Sequence, residues 1–256
     1  GINVSSVYIG YSAGPFLGGL LTEYLGWRSL FAVAVPIGIA ITLLIIWKIK
    51  GEWAHSRGDK FDTTGSIIYG LALIALIYGL SLLPEVTGIV LAASGVIGLL
   101  VFLKVETRIK SPVMNLNIFR GNRIYLFSNL GTLIGYSSIF AMSYLMSLYL
   151  QYIKGFNPDQ TGIILLSQPL MLVICAPISG RLSEKIEPRI VASLGLALMF
   201  IGLISLAFIT AVTALGIIVT ILIILGIGMA LFVTPNNYAV MSSVMPKYYV
   251  IASATM

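Results

Sequence analysis

Of 256 residues, 58% are hydrophobic and only 9% charged, with a mean hydropathy of +1.01; soluble domains carry about 25% charge, so a water-soluble fold cannot hide this much apolar surface. The formal charge of +6 does not point to nucleic acid, because the basic residues stand in short segments between long apolar runs, where membrane topology accounts for them. A single cysteine, Cys175, excludes an intrachain disulfide, and with a single histidine, His55, it leaves no Cys/His metal cluster.

The runs are longer and more continuously apolar than transmembrane β-strands. They predict an all-α polytopic membrane protein. Crossing a bilayer takes about 20 apolar residues. Uncharged runs of that order occur at Ile2–Leu21, Ser29–Trp47, Thr63–Pro84, Val86–Leu103, Ile124–Ile153 and Thr161–Gly180. A last run, Ile190–Pro246, is too long for one crossing and is expected to break near Thr210–Ala214, which makes eight spans in all. Every Asp and Glu falls between the runs. No heptad pattern is read from them.

In the first run, Gly10, Gly14 and Gly18 are four apart and share a helix face that another helix can approach closely. Pro15 removes a helix hydrogen bond and is expected to bend the helix. This motif begins at residue 1, with neither initiator Met nor signal sequence, and the chain is read as a piece of a longer protein.

Basic residues set the topology. With eight spans, one side holds Lys48, Lys50, Arg57, Lys60, Lys104, Arg108, Lys110, Arg120, Arg123, Arg181, Lys185, Arg189 and Lys247, and the other only Arg28 and Lys154. The basic side is expected to be cytoplasmic, so the first helix runs outward. The Lys48–Asp62 segment reads as a linker. Lys104–Arg123 contains Pro112–Phe119, which either lies along the membrane surface or simply connects.

The succession Gly1-x8-Gly10-x3-Gly14-Pro15-x2-Gly18-Gly19 resembles the antiporter motif on the fifth helix of major facilitator superfamily drug exporters. Gly26-Trp27-Arg28-x2-Phe31, Val35-Pro36-Ile37-Gly38 and Phe61-Asp62-x2-Gly65 are similar to the fourteen-helix drug:proton antiporter branch (EmrB/QacA-like), though Ala34 stands where many relatives have Asn. Tyr149-Leu150-Gln151, Gly155 and Thr161-Gly162 resemble the region of that branch's tenth helix, and Gly226-x-Gly228 with Pro235 and Pro246 its twelfth. Gly180–Arg189 resembles the cytoplasmic loop motif Gly-Arg-Leu-x-Asp-Arg-x-Gly-x-Arg, with Glu184 at the Asp position and Glu187 at the second Gly position, where a tight turn is then in doubt.

The resemblance covers the whole chain and implies helices 5 to 12 of fourteen. Residues 1–48 would close the N-terminal bundle, 49–62 and 105–123 would be cytoplasmic linkers, 63–104 the two extra central helices, and 124–256 the first four helices of the C-terminal bundle. It implies a proton-coupled multidrug exporter of the inner membrane, working by alternating access on small amphipathic or cationic substrates. The proton gradient is the only driving agent implied, with no cofactor. A monomer is expected. Two alternatives stay open: the same fold serving another solute (a lipid precursor, siderophore or amino acid), or a truncated, non-transporting membrane fragment.

Three groups of residues are candidates for function. Gly1, Gly10, Gly14, Pro15, Gly18 and Gly19 would form a close, bendable seam, or a static packing face. Gly180, Arg181, Glu184, Lys185 and Arg189 would form a charge network that opens and closes, or a solvated loop. Asn129, Tyr136, Phe140 and Tyr144, with Gln168 and Met171, would border a substrate cavity, since buried amides need partners and aromatics and Met suit greasy cations; ordinary helix packing is the other reading for each. Asn236 and Asn237 read as helix-end chemistry. No carboxylate lies inside a run, so a proton site is expected mainly in helices outside this chain. The loops are too short for a catalytic domain and hold no Ser-His-Asp, metal-ligand or phosphate-loop pattern, so no enzyme is expected.

Overall fold

The computed structural model describes residues 2–48, 62–109, 116–245 and 248–255. Gly1, linker residues 49–61, half of the Pro112–Phe119 stretch (residues 112–115) and Pro246 lie outside the described residues. Among the described residues there are eleven α-helices and one π turn. They are α1 (Ile2–Leu25), α2 (Arg28–Lys48), α3 (Thr63–Ser81), α4 (Val86–Glu106), α5 (Leu116–Gly121), α6 (Arg123–Leu148), the π turn Tyr149–Ile153, α7 (Pro158–Leu165), α8 (Ser167–Lys185), α9 (Pro188–Ala207), α10 (Leu215–Ser242) and α11 (Tyr249–Thr255).

Among the described residues, seven helical segments are long and apolar enough to cross a membrane: α2, α3, α4, α6 with the π turn, α7 with α8, α9 and α10. The eighth expected span, α1, has 24 residues but is not among the seven, because Asn3, Glu23 and its Ser, Tyr and Gly residues dilute its hydropathy. The expected break in the last long run falls between Ala207 and Leu215. One expected span, Thr161–Gly180, is two helices. They part at Leu166 because Pro169, three residues on, cannot donate to Leu165 and its ring crowds that carbonyl.

The chain divides into two compact units, Gly1–Gly51 with Ser128–Val240, and Glu52–Phe127 with Met241–Met256. In the second unit α3 and α4 form a close hairpin. Its buried positions are Gly65, Ala72 and Gly79 on α3, and Gly88, Gly95, Phe102 and Glu106 on α4. The three on α3 and the first three on α4 recur every seven residues, the period that keeps one helix face on its partner. This corrects the reading that no heptads are present: five of the six repeat positions are Gly or Ala, which stand out little in hydropathy. The approach is backbone to backbone. A Cβ on Gly88 would lie 2.8 Å from Gly79 O, and one on Gly95 2.5 Å from Leu76 N.

Asp62 caps α3, its Oδ1 accepting from Gly65 N at 2.8 Å, which is the helix-start role expected of it. Glu106, read as a linker residue, is 3% exposed. A Cβ on Gly65 would lie 3.0 Å from its Oε2, so the two carboxylates share one end of the hairpin. Asn122 caps α6, its Oδ1 accepting from Tyr125 N at 3.0 Å, while its amide donates to Ser243 O at 2.6 Å.

In the first unit the core runs along α10, with Leu222, Leu225, Met229, Phe232 and Val233 buried against α6, α8 and α9. α1 turns into α2 at Gly26, whose φ of 77° is the left-handed conformation that suits glycine at a helix end. Arg28 then lies 4.7 Å over the Trp27 ring.

Candidate functional site

The glycine motif of α1 forms its close contact with α7. A Cβ on Gly19 would lie 2.5 Å from Pro158 O and 3.3 Å from Gly162 Cα. A Cβ on Gly162 would overlap Pro15 O. Here a carbonyl and two Cα atoms meet without side chains between them, and Cα–H to carbonyl contacts take up part of the bonding. The seam therefore consists of Pro15 and Gly19, four residues apart, facing Gly162. Gly10 and Gly14 have nothing within 4 Å of a built Cβ, and Gly18 meets only Leu30 Cδ2, at 3.9 Å. Within this chain the close contact of the motif thus uses the Pro15–Gly19 stripe and not the Gly10, Gly14 and Gly18 face read from the sequence. Two stripes with four-residue spacing coexist in this motif, and only the partner helix reveals which one is used.

The Gly180–Arg189 segment is mostly helix. Gly180, Arg181, Glu184 and Lys185 belong to the last turns of α8, and Lys185 suits the negative end of the helix dipole. Only Ile186 and Glu187 separate α8 from α9. Glu187 is the N-cap with φ −51° and Pro188 follows at N1, so proline fixes the turn and no glycine is needed. The ion pair seen here is Arg189 Nε to Glu187 Oε1 at 3.3 Å, with side chains 79% and 55% exposed. Such an exposed local pair contributes little. The expected network among Arg181, Glu184, Lys185 and Arg189 is not formed. α8 carries the first three along its exposed flank, while Arg189 opens the next helix.

The cavity candidates separate into two groupings. Tyr136 and Phe140 stack on α6, ring centroids 6.3 Å apart at 27°. Phe140 and Tyr144 face outward, 60% and 66% exposed, and Tyr136 packs partly on the core. Asn129 is half-buried on α6, seven residues before Tyr136. Gln168 is 3% exposed on α8 and its Nε2 has no partner. It sits where α8 meets α10: a Cβ on Gly226 would overlap Gln168 O and lie 2.9 Å from Met171 Cβ. No hydrogen bond or ring contact among those described joins the aromatic group to Gln168.

Asn236 is the polar residue that sequence reasoning misplaced. It lies inside α10, 6% exposed. Its amide donates to Thr132 Oγ1 at 2.8 Å and to Ser128 O at 3.2 Å, joining α10 to α6. An asparagine after Pro235 looked like a helix end, but α10 continues through Pro235 to Ser242. Replacing Asn236 with Leu is expected to cost about 0.6–2 kcal/mol, the range of interhelical hydrogen bonds in membranes. Asn237→Leu is expected to cost less. Thermal melting of the two variants in detergent would check the order.

The whole chain, residues 1–256, matches the family model described as Major Facilitator Superfamily. Curated relatives include the Riboflavin transporter RibZ of Clostridioides difficile (strain 630), 28% identical over 247 residues, covering 96% of this chain and 54% of the relative. The Multidrug resistance protein Stp of Mycobacterium tuberculosis is 29% identical over 262 residues, covering 100% of this chain and 48% of the relative. The Tetracenomycin C resistance and export protein of Streptomyces glaucescens is 27% identical over 236 residues, covering 90% and 44%. The chain thus spans about half the length of the curated relatives it matches.

Proposed function

The chain belongs to the Major Facilitator Superfamily as a multi-pass membrane protein, and on that premise we propose that the whole protein is a secondary active transporter working by alternating access. The observation that carries the reading is the seam of Pro15 and Gly19 on Gly162. A contact made of backbone alone seals without interlocking side chains, so helices can tilt across it without repacking. The proposed cargo is an amphipathic, aromatic or cationic compound moved outward against protons, and the relatives named for multidrug resistance and for tetracenomycin C export support it. The stacked Tyr136 and Phe140 would offer such a compound a flat apolar platform. Proposed sidedness puts the basic linkers in the cytoplasm and the Lys154 end outside, in the inner membrane. In this reading the protein is not an enzyme and needs no cofactor.

A second reading has one specific support. The relative named as a riboflavin transporter favours a single planar nutrient over a range of drugs. The fourteen-helix assignment and the coupling proton belong to the proposal alone. The test uses the full-length protein carrying this chain, in everted membrane vesicles. Ethidium should accumulate when a proton gradient is imposed and leak back when an uncoupler is added. Accumulation indifferent to the uncoupler would sink the proton coupling. Riboflavin movement with no ethidium movement would select the second reading.

A further inference from the structure

The end of α6 holds a device that the proposed function does not draw on. After Leu148 the helix widens into the π turn, with Lys154 N donating to Tyr149 O at 3.0 Å across five residues. In an α-helix, positions five apart point about 140° away from each other. The wider turn brings Tyr149 and Lys154 towards one side. Gly155, with φ 72°, then ends the helix, as glycine does where the backbone turns left-handed.

Both side chains engage the same target, the turn that joins α9 to α10. Tyr149 Oη donates to Thr210 O at 2.7 Å. Lys154 Nζ donates to Ala211 O at 2.8 Å and to Thr213 O at 2.5 Å. The turn is also bonded internally, Thr213 N to Thr210 O at 3.1 Å and Thr210 N to Thr213 Oγ1 at 2.8 Å. Three carbonyls of one short turn are therefore held from a helix about 60 residues earlier. Hydrogen bonds from an ammonium are stronger than neutral ones, and two of them from Lys154, with the Tyr149 hydroxyl on a third carbonyl of the same turn, fix orientation as well as distance.

Next to this clasp lies a crevice of about 450 Å³ between α6 and α9. Met142, Leu145, Met146, Leu203 and Leu206 line it, and Tyr149 and Ile209, beside the clasp, close one end. Met142 and Met146 belong to the buried core, with Leu203, Leu206 and Ile209 packed against it, and beside them the clasp ties the end of α6 to the α9–α10 turn.

We infer that Lys154 and Tyr149 are positioning residues that fasten the α9–α10 turn to the π turn, so that this end of α6, α9 and α10 shifts as one body and the crevice keeps its width. The consequence for transport rests on the reading of the protein as an alternating-access transporter. The fastening itself does not.

The test uses the full-length protein in a Cys175→Ser background with one cysteine introduced by Leu206→Cys in the crevice wall. Lys154→Met should speed amide exchange across residues 208–214 by about tenfold or more, since the opened turn loses two charge-assisted bonds. It should also speed alkylation of the introduced cysteine, with the overall melting temperature little changed. Lys154→Arg, which still presents donors to both carbonyls, should restore both rates, and Tyr149→Phe should give an intermediate value. Ethidium export should fall several-fold in Lys154→Met and recover in Lys154→Arg. Unchanged exchange and alkylation in Lys154→Met would overturn the fastening. A loosened turn with unimpaired export would overturn its role in transport. If the unsubstituted protein exports no ethidium, the transport reading suffers alone, and the exchange comparison still decides the clasp.

Discussion

Gly162→Ala in the full-length protein is expected to reduce transport at least about tenfold, while Gly14→Ala leaves it near the unsubstituted level. Each substitution adds one methyl group. At Gly162 that methyl meets Pro15 O at overlap distance, with Pro15 C at 3.2 Å and Gly19 Cα at 3.3 Å. All three are backbone atoms, so no rotamer change can relieve the clash. Helices α1 and α7 must separate, at a cost of about 1–3 kcal/mol for an overpacked contact, and the loss falls on the seam that has to stay sealed while the helices tilt. At Gly14 nothing lies within 4 Å, and alanine is the better helix former by roughly 0.8–1.0 kcal/mol. Initial rates of ethidium uptake into everted vesicles, normalised to protein in the membrane, would check the pair. A damaging Gly14→Ala with a silent Gly162→Ala would return the function to the face first read from sequence.

That pair also shows how far the sequence could be read. Composition and run length suffice for the helices, because burial in a bilayer depends on apolar length alone. The charged segments mark their ends. What a pattern in one helix does not contain is its partner. Gly10, Gly14 and Gly18 form one four-residue stripe, and Pro15 and Gly19 another, displaced by one position. Only the position of Gly162 on α7 distinguishes them. The α3–α4 hairpin makes the same point from the other side. Its repeat of Gly65, Ala72 and Gly79 against Gly88, Gly95 and Phe102 was visible in the letters. It does not read as a heptad pattern because heptads are marked by large apolar residues, whereas helices in lipid associate through small ones.

Polar residues were misread for a related reason. Asn236 was judged by its neighbour Pro235, a local cue, while its bonding partners Ser128 and Thr132 are more than 100 residues away. Glu106 falls in the range 105–123 read as a linker, yet it is nearly fully buried beside Gly65 and Asp62. In both cases burial is decided by a second helix. The aromatic residues of α6 lie close along one helix, and Tyr136 and Phe140, four residues apart, stack without help from a second helix.

The layer around Phe232 gives the second large effect. Gly195 on α9 faces Gly228 on α10: a Cβ on Gly195 would lie 2.5 Å from Phe232 N and 2.6 Å from Gly228 O, and one on Gly228 would lie 2.9 Å from Gly195 O. This close crossing seats α10 so that the Phe232 ring reaches α6, where a Cβ on Gly131 would lie 3.3 Å from its Cζ and one on Gly135 3.2 Å from its Cε1. Phe232 is 2% exposed, and Met199 Cε also lies beside Gly135, 3.9 Å from a built Cβ. Phe232→Ala is expected to cost about 3–5 kcal/mol through the cavity it leaves. Gly135→Val alone is expected to cost about 1–3 kcal/mol by overpacking against the ring. Combined, the two should cost less than their sum, because the valine occupies part of the space the ring vacates, giving a coupling of about 0.5–3 kcal/mol. Gly195→Val, by contrast, meets backbone on α10 and should not be rescued by Phe232→Ala. Thermal melting of the three single and two double variants would separate the two kinds of contact. Strict additivity between Gly135→Val and Phe232→Ala would show that the ring does not mediate the α6–α10 contact, whereas rescue of Gly195→Val would show that the α9–α10 crossing is set by side-chain packing and not by its paired glycines.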